Sequence, residues 1–147
     1  MSRPLSNAEQ RGLRAFAGTM IPASERHNAP GADDEAIFAD MLKSLDRDRD
    51  DVARALARLD ELAGGAFADL VPSRRLEVAN AWRAEGGAPF AALTRVVLLC
   101  YYRDDRVMRS LGQEPRSPFP KGHSVEQGDW SLLDPVKARK PFWRGAP

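Results

Sequence analysis

The stretch from Phe90 to Tyr102 constrains the fold most. Across its thirteen residues Arg95 is the only formal charge, and the run ends in the aromatic pair Tyr101-Tyr102. Pro89 suits the first turn of a helix, where its missing N–H is not needed. A helix apolar on most sides has little to offer water, so it is expected at the centre with other helices around it. It is too short for the roughly 20 apolar residues that span a bilayer. The chain must therefore supply enough amphipathic helices to cover it.

It does so in sequence order. Ser6-Asn-Ala-Glu9 is a capping box. The helix that follows carries Leu13, Phe16, Ala17 and Met20 on one face, and Pro22 stops it. After a loop with a Pro30-Gly31 turn, Asp33 or Asp34 is expected to cap a second helix with Ile37, Phe38, Met41, Leu42 and Leu45. The charged run Asp46–Asp51 is the expected link to, and cap of, a third helix bearing Val52, Leu56, Leu59 and Leu62, ended by Gly64-Gly65. Phe67 and Leu70 form a short apolar turn. Ser73 is the expected cap of a fourth helix with Leu76, Val78, Ala79 and Trp82, ended by Gly86-Gly87. Asp104 or Asp105 caps a last short turn with Val107, Met108 and Leu111 before Gly112. No window alternates with period two between hairpin turns, so strands are not required. The fold class expected is all-α: a small bundle of five or six helices over residues 1–112, followed by a long extended arm, 113–147.

The arm differs in composition. It holds six of the eleven prolines and four of the eleven aromatics, Phe119, Trp130, Phe142 and Trp143. Aromatics are scarce in disordered segments, and prolines lower the entropy lost when an extended path docks. Phe119, Trp130, Leu132, Leu133, Phe142, Trp143 and Arg144 are the expected anchors on another protein, since Trp, Phe and Arg dominate interface energetics. Lys137, Arg139, Lys140 and Arg144, interleaved with Phe142 and Trp143, also fit single-stranded nucleic acid. A formal net charge of +1 over 147 residues supplies no global basic field for that reading, and a protein partner is preferred.

Chemistry-bearing patterns are sparse. The single cysteine, Cys100, lies in the apolar run and reads as a small buried hydrophobe. Asp46-x-Asp48-x-Asp50 begins like a calcium loop, but position six is Asp51 rather than Gly and position twelve is Ala57 rather than Glu. His27 and His123 lack a third ligand at metal spacing. Asp104, Asp105, Glu114 and Asp129 have no spacing that pairs them for acid–base work. No glycine-rich phosphate loop or nucleophile elbow occurs. No catalytic, metal or cofactor residue is assigned. The opening residues Met1–Ser6 have no apolar signal segment, so a soluble cytoplasmic protein is expected.

Phe16-Ala-Gly-Thr-Met-Ile-Pro22 with Pro30-Gly-Ala32 resembles the opening of the gluconate 2-dehydrogenase subunit 3-like family. Phe90-x-x-Leu93 with Tyr101-Tyr102 resembles that family's later helix and tyrosine motif. Val107-x-x-x-Leu-Gly112, Phe119-Pro-x-Gly122 and Trp130-Ser-Leu-Leu-Asp-Pro135 resemble its C-terminal arm. The resemblance implies a helical, chaperone-like small subunit that wraps a large flavoprotein of the glucose–methanol–choline type. That partner would bind FAD and oxidise a sugar or alcohol by hydride transfer. Many members carry a twin-arginine export signal, and the opening here has none, which implies a cytoplasmic pair. The alternative is a stand-alone helical module whose tail binds nucleic acid or another protein.

Overall fold

Ser6 opens the first helix as a closed capping box. Its hydroxyl accepts from the Glu9 N–H, and the Glu9 carboxylate accepts from the Ser6 N–H at 2.7 Å. Arg3 holds the same carboxylate at 2.5 Å. In this computed structural model, which describes residues 3–116, 122, 124 and 126–140, the fold is all-α. The helices are α1 (Asn7–Met20), α2 (Glu35–Lys43), α3 (Arg49–Ala63), α4 (Pro72–Glu85), α5 (Ala88–Tyr102), α6 (Asp105–Ser110) and α7 (Asp134–Lys137). Short 3-10 turns cover Asp46–Asp48, Phe67–Asp69 and Trp130–Leu133. No strand forms among the described residues; Ser24 and Ala29 make one isolated antiparallel bridge. No helix there is long and apolar enough to cross a membrane.

The chain divides into two units, Met1–Pro115 and Arg116–Pro147. In the first, α5 is central: α2, α3 and α6 pack on it, while α1 and α4 pack together against α3. Leu93, Val97 and Cys100 on α5 are fully buried with Ile37, Met41, Val52 and Leu59. An aromatic chain crosses this core. Phe67 meets Phe16 at 6.5 Å, Phe16 meets Trp82 at 6.0 Å, and Trp82 meets Phe90 edge-on at 4.8 Å. Such tilted and edge-on pairs add to the burial of each ring. They join the 67–69 turn, α1, α4 and α5 in one row.

Helix ends follow local chemistry. Asp34, not Asp33, caps α2, and Asp104, not Asp105, caps α6. Gly64 is left-handed (φ 70°), and the Gly65 N–H returns to the Asp60 carbonyl at 3.0 Å, which closes the end of α3. The Asp46–Asp51 run supplies no side-chain cap: it forms a 3-10 turn that leads directly into α3. Ser73 is not the cap of α4. Pro72 takes the first helical position and Val71 the cap, because a proline has no N–H to be satisfied there.

Two expected faces are corrected. Leu76 does not join Val78 and Trp82 in the core; it is 51% exposed. Residues two apart lie about 200° around a helix, so Leu76 and Val78 face opposite ways. The α5 helix is central but not enclosed. Leu98, Leu99 and Tyr102 are exposed beside Arg95, whose guanidinium reaches Asp48 at 2.6 Å. The surrounding helices are too few to cover its whole circumference.

Candidate functional site

Within Arg116–Pro147, the described segment 126–140 is exposed throughout. It is nevertheless locally ordered. The Asp129 carboxylate accepts from the Ser131 N–H at 3.0 Å and from the Ser131 hydroxyl at 2.6 Å. These bonds, the Ser131 hydroxyl first, hold its pKa below the ordinary carboxylate value. They start the 3-10 turn Trp130–Leu133, which runs into α7 with Pro135 in its first turn. Side chains three apart eclipse in a 3-10 turn, so Trp130 and Leu133 share an edge, and Val136 continues the spacing. All three are exposed, as is Leu132. The arm is thus helical here rather than extended. Of the expected anchors, Trp130, Leu132 and Leu133 lie on this element. Phe119, Phe142, Trp143 and Arg144 lie outside the described residues. Val136 was not expected; its spacing of three from Leu133 was the available signal.

A second feature lies within Met1–Pro115. Two cavities of about 560 and 300 Å³ flank the α1/α4 packing, and Thr19 and Leu76 line both. Phe16, Met20, Ala79 and Phe90 line the larger one. The groove also carries Arg14 and Arg75 at one end and Arg83 at the other, with Asp33 as its lining carboxylate. Arg14 donates to the Asp33 carbonyl at 2.9 Å and lies 5.5 Å over the Phe38 ring. Arg75 donates to the Ala68 carbonyl at 2.7 Å, while its buried Nε has no acceptor among the described residues.

The remaining clefts are committed to structure. One of about 520 Å³ lies between the 23–30 loop and α6, lined by Arg106 and Arg109. Arg106 is held by Asp34 at 2.6 Å and Asp104 at 3.0 Å, and Arg109 by Asp105 at 3.4 Å. The Arg106 guanidinium lowers the pKa of both Asp34 and Asp104, and they raise its own. Burial pushes the Cys100 thiol up, opposite to what a nucleophilic thiolate needs. No group of three metal-ligating side chains occurs among the described residues.

Four of the residues quoted for the family resemblance, Gly18, Pro30, Gly31 and Tyr101, lie about the loop that leads into α2. The Tyr101 hydroxyl donates to the Pro30 carbonyl at 3.1 Å. Asp33 packs over Gly18 and Gly31, where a Cβ on Gly18 would come within 2.8 Å of its carboxyl carbon. Comparison with protein-family models, curated proteins and solved structures gave no match to this chain. The functional reading therefore rests on the residues, their geometry and the motif resemblance alone.

Proposed function

We propose that this chain is the non-catalytic small subunit of a heteromeric FAD-dependent sugar or alcohol dehydrogenase, and that it stabilises the large flavoprotein subunit. FAD and the oxidised hydroxyl would belong to that partner, and no residue here is assigned to either. The observation that carries the reading is the exposed edge of Trp130, Leu133 and Val136 on a turn set by Asp129. Large apolar side chains held in a defined conformation bind with less ordering entropy than the same residues in a coil. The resemblance of Trp130-Ser-Leu-Leu-Asp-Pro135 to the arm of the subunit 3-like family names the partner class. Tyr101, Pro30 and the glycines facing Asp33 act in this reading as the fastening of the helical unit.

The test is co-expression of the full chain with a flavoprotein encoded beside it. Trp130→Ala combined with Leu133→Ala should abolish co-purification and dehydrogenase yield, with the helical unit still folded by circular dichroism. Undiminished complex from that variant would overturn the arm's role. Binding of single-stranded DNA that falls steeply with salt would favour the nucleic-acid alternative instead.

A further inference from the structure

The groove between α1 and α4 gathers three arginines that hold no carboxylate among the described residues. Nine arginines of that unit hold a carboxylate within 4.0 Å: Arg3, Arg11, Arg54, Arg58, Arg74, Arg95, Arg103, Arg106 and Arg109. Six others hold none among the described residues; Arg26, Arg47 and Arg49 lie apart from this groove, while Arg14, Arg75 and Arg83 line it together. The two acids of α4 are engaged elsewhere, Glu77 with Arg74 at 2.6 Å and Glu85 with Arg58 at 3.0 Å. Asp33 is the groove's lining carboxylate, and no guanidinium among the described residues ion-pairs with it. The groove is therefore apolar with a positive balance along its edges.

We propose that this groove docks an acidic amphipathic helix of a partner protein. Its two walls are helices of 14 residues each. A third helix can lie along such a cleft with its apolar face down. Leu76, exposed on the wall, and Phe90, Met20 and Ala79 beside it would receive that face. Arg75 and Arg83 are eight residues apart, roughly 12 Å along α4. Carboxylates about two turns apart on the incoming helix would meet both. Arginine suits this role because its planar fork pairs a carboxylate bidentately. The occupant is thus set by charge: a basic helix would face Arg14, Arg75 and Arg83 with no acid but Asp33 to receive it. This docking does not depend on the arm's partner being a flavoprotein.

The experiment uses the full chain and a fluorescein-labelled helical peptide of about four turns. The peptide carries Leu on one face and two Glu about two turns apart beside it; a second peptide has Lys for both Glu. Fluorescence anisotropy should show the Glu peptide binding and the Lys peptide at least about tenfold weaker. Arg83→Gln should weaken the Glu peptide about tenfold and bind the Lys peptide no more weakly than the parent chain does, since it removes a like charge. Leu76→Gln should weaken both. Arg26→Gln and Arg47→Gln, outside the groove, should change nothing. Arg75→Gln tests the other end, with circular dichroism as the check that loss of its bond to Ala68 has not unfolded α4. Equal binding of the two peptides, absence of binding, or an Arg83→Gln affinity equal to that of Arg47→Gln would overturn the proposal.

Discussion

Trp82 and Trp130 are the same residue with opposite fates. Trp82 is 2% exposed, between Phe16 and Phe90; Trp130 is 63% exposed on a turn of four residues. The difference lies in what surrounds each. Trp82 sits on a helix that packs on α1 and α3, so its ring completes a row of aromatics across three helices and a turn. Trp130 sits on an element whose described neighbours, from 126 to 140, are all exposed. Local order alone buries nothing: the Asp129–Ser131 bonds shape the turn, but they hide none of its apolar surface. One unit uses its aromatics for stability. The other leaves its described tryptophan on the surface.

That contrast can be broken most directly at the two tryptophans. Trp82→Ala should destabilise the fold by about 3–5 kcal/mol in urea denaturation, since it empties a closed core. Trp130→Ala should stay within about 0.5 kcal/mol, so comparable losses from the two variants would refute the contrast. The next effect is smaller and sits at a helix end. Gly64→Ala places a Cβ on a left-handed residue and should lose about 1–2 kcal/mol, although nothing lies near enough to clash. Ser6→Ala removes the N-cap and should lose about 1 kcal/mol. The smallest effect is electrostatic. The Arg3 guanidinium, bonded to Glu9, lowers the Glu9 pKa from 4.5 to about 2, with the Ser6 N–H adding to it. A lowered folded-state pKa contributes stability that is complete above the unfolded value and fades as pH falls toward the folded one. Glu9→Gln should therefore cost stability at neutral pH, and the difference from the parent chain should shrink between about pH 4.5 and 2. A difference independent of pH would assign Glu9 to packing instead.

Much of the helical unit was legible because its signals are local. The Ser6–Glu9 box, the Pro22 stop, the Gly64-Gly65 end and the apolar faces of α1 to α3 depend on residues within a turn or two of one another. The errors arose where local rules compete. Ser73 and Pro72 both qualify near a helix start, and proline takes the first position. Hydrophobicity alone groups Leu76 with Val78, but a separation of two cannot place both on one face. The α5 run is apolar nearly all round, and composition does not say how many neighbours will arrive to cover it. The groove was not legible at all. Arg75 and Arg83 look like ordinary solvated arginines until Arg74, Glu77, Arg58 and Glu85 are seen paired away from them.

By itself the sequence determined the class of elements, most of their ends, and the division between a helix-rich part and a proline-rich one. Periodicity, caps and breakers act over a few residues, and each residue carries its own share of them. Only the tertiary structure decided which apolar faces were covered and which charges were already spoken for. Both depend on how many helices fit around α5, and on side chains such as Arg106 and Asp34 that meet across 72 residues of chain. A single helix's pattern cannot encode that arrangement, because it belongs to the packing of all of them.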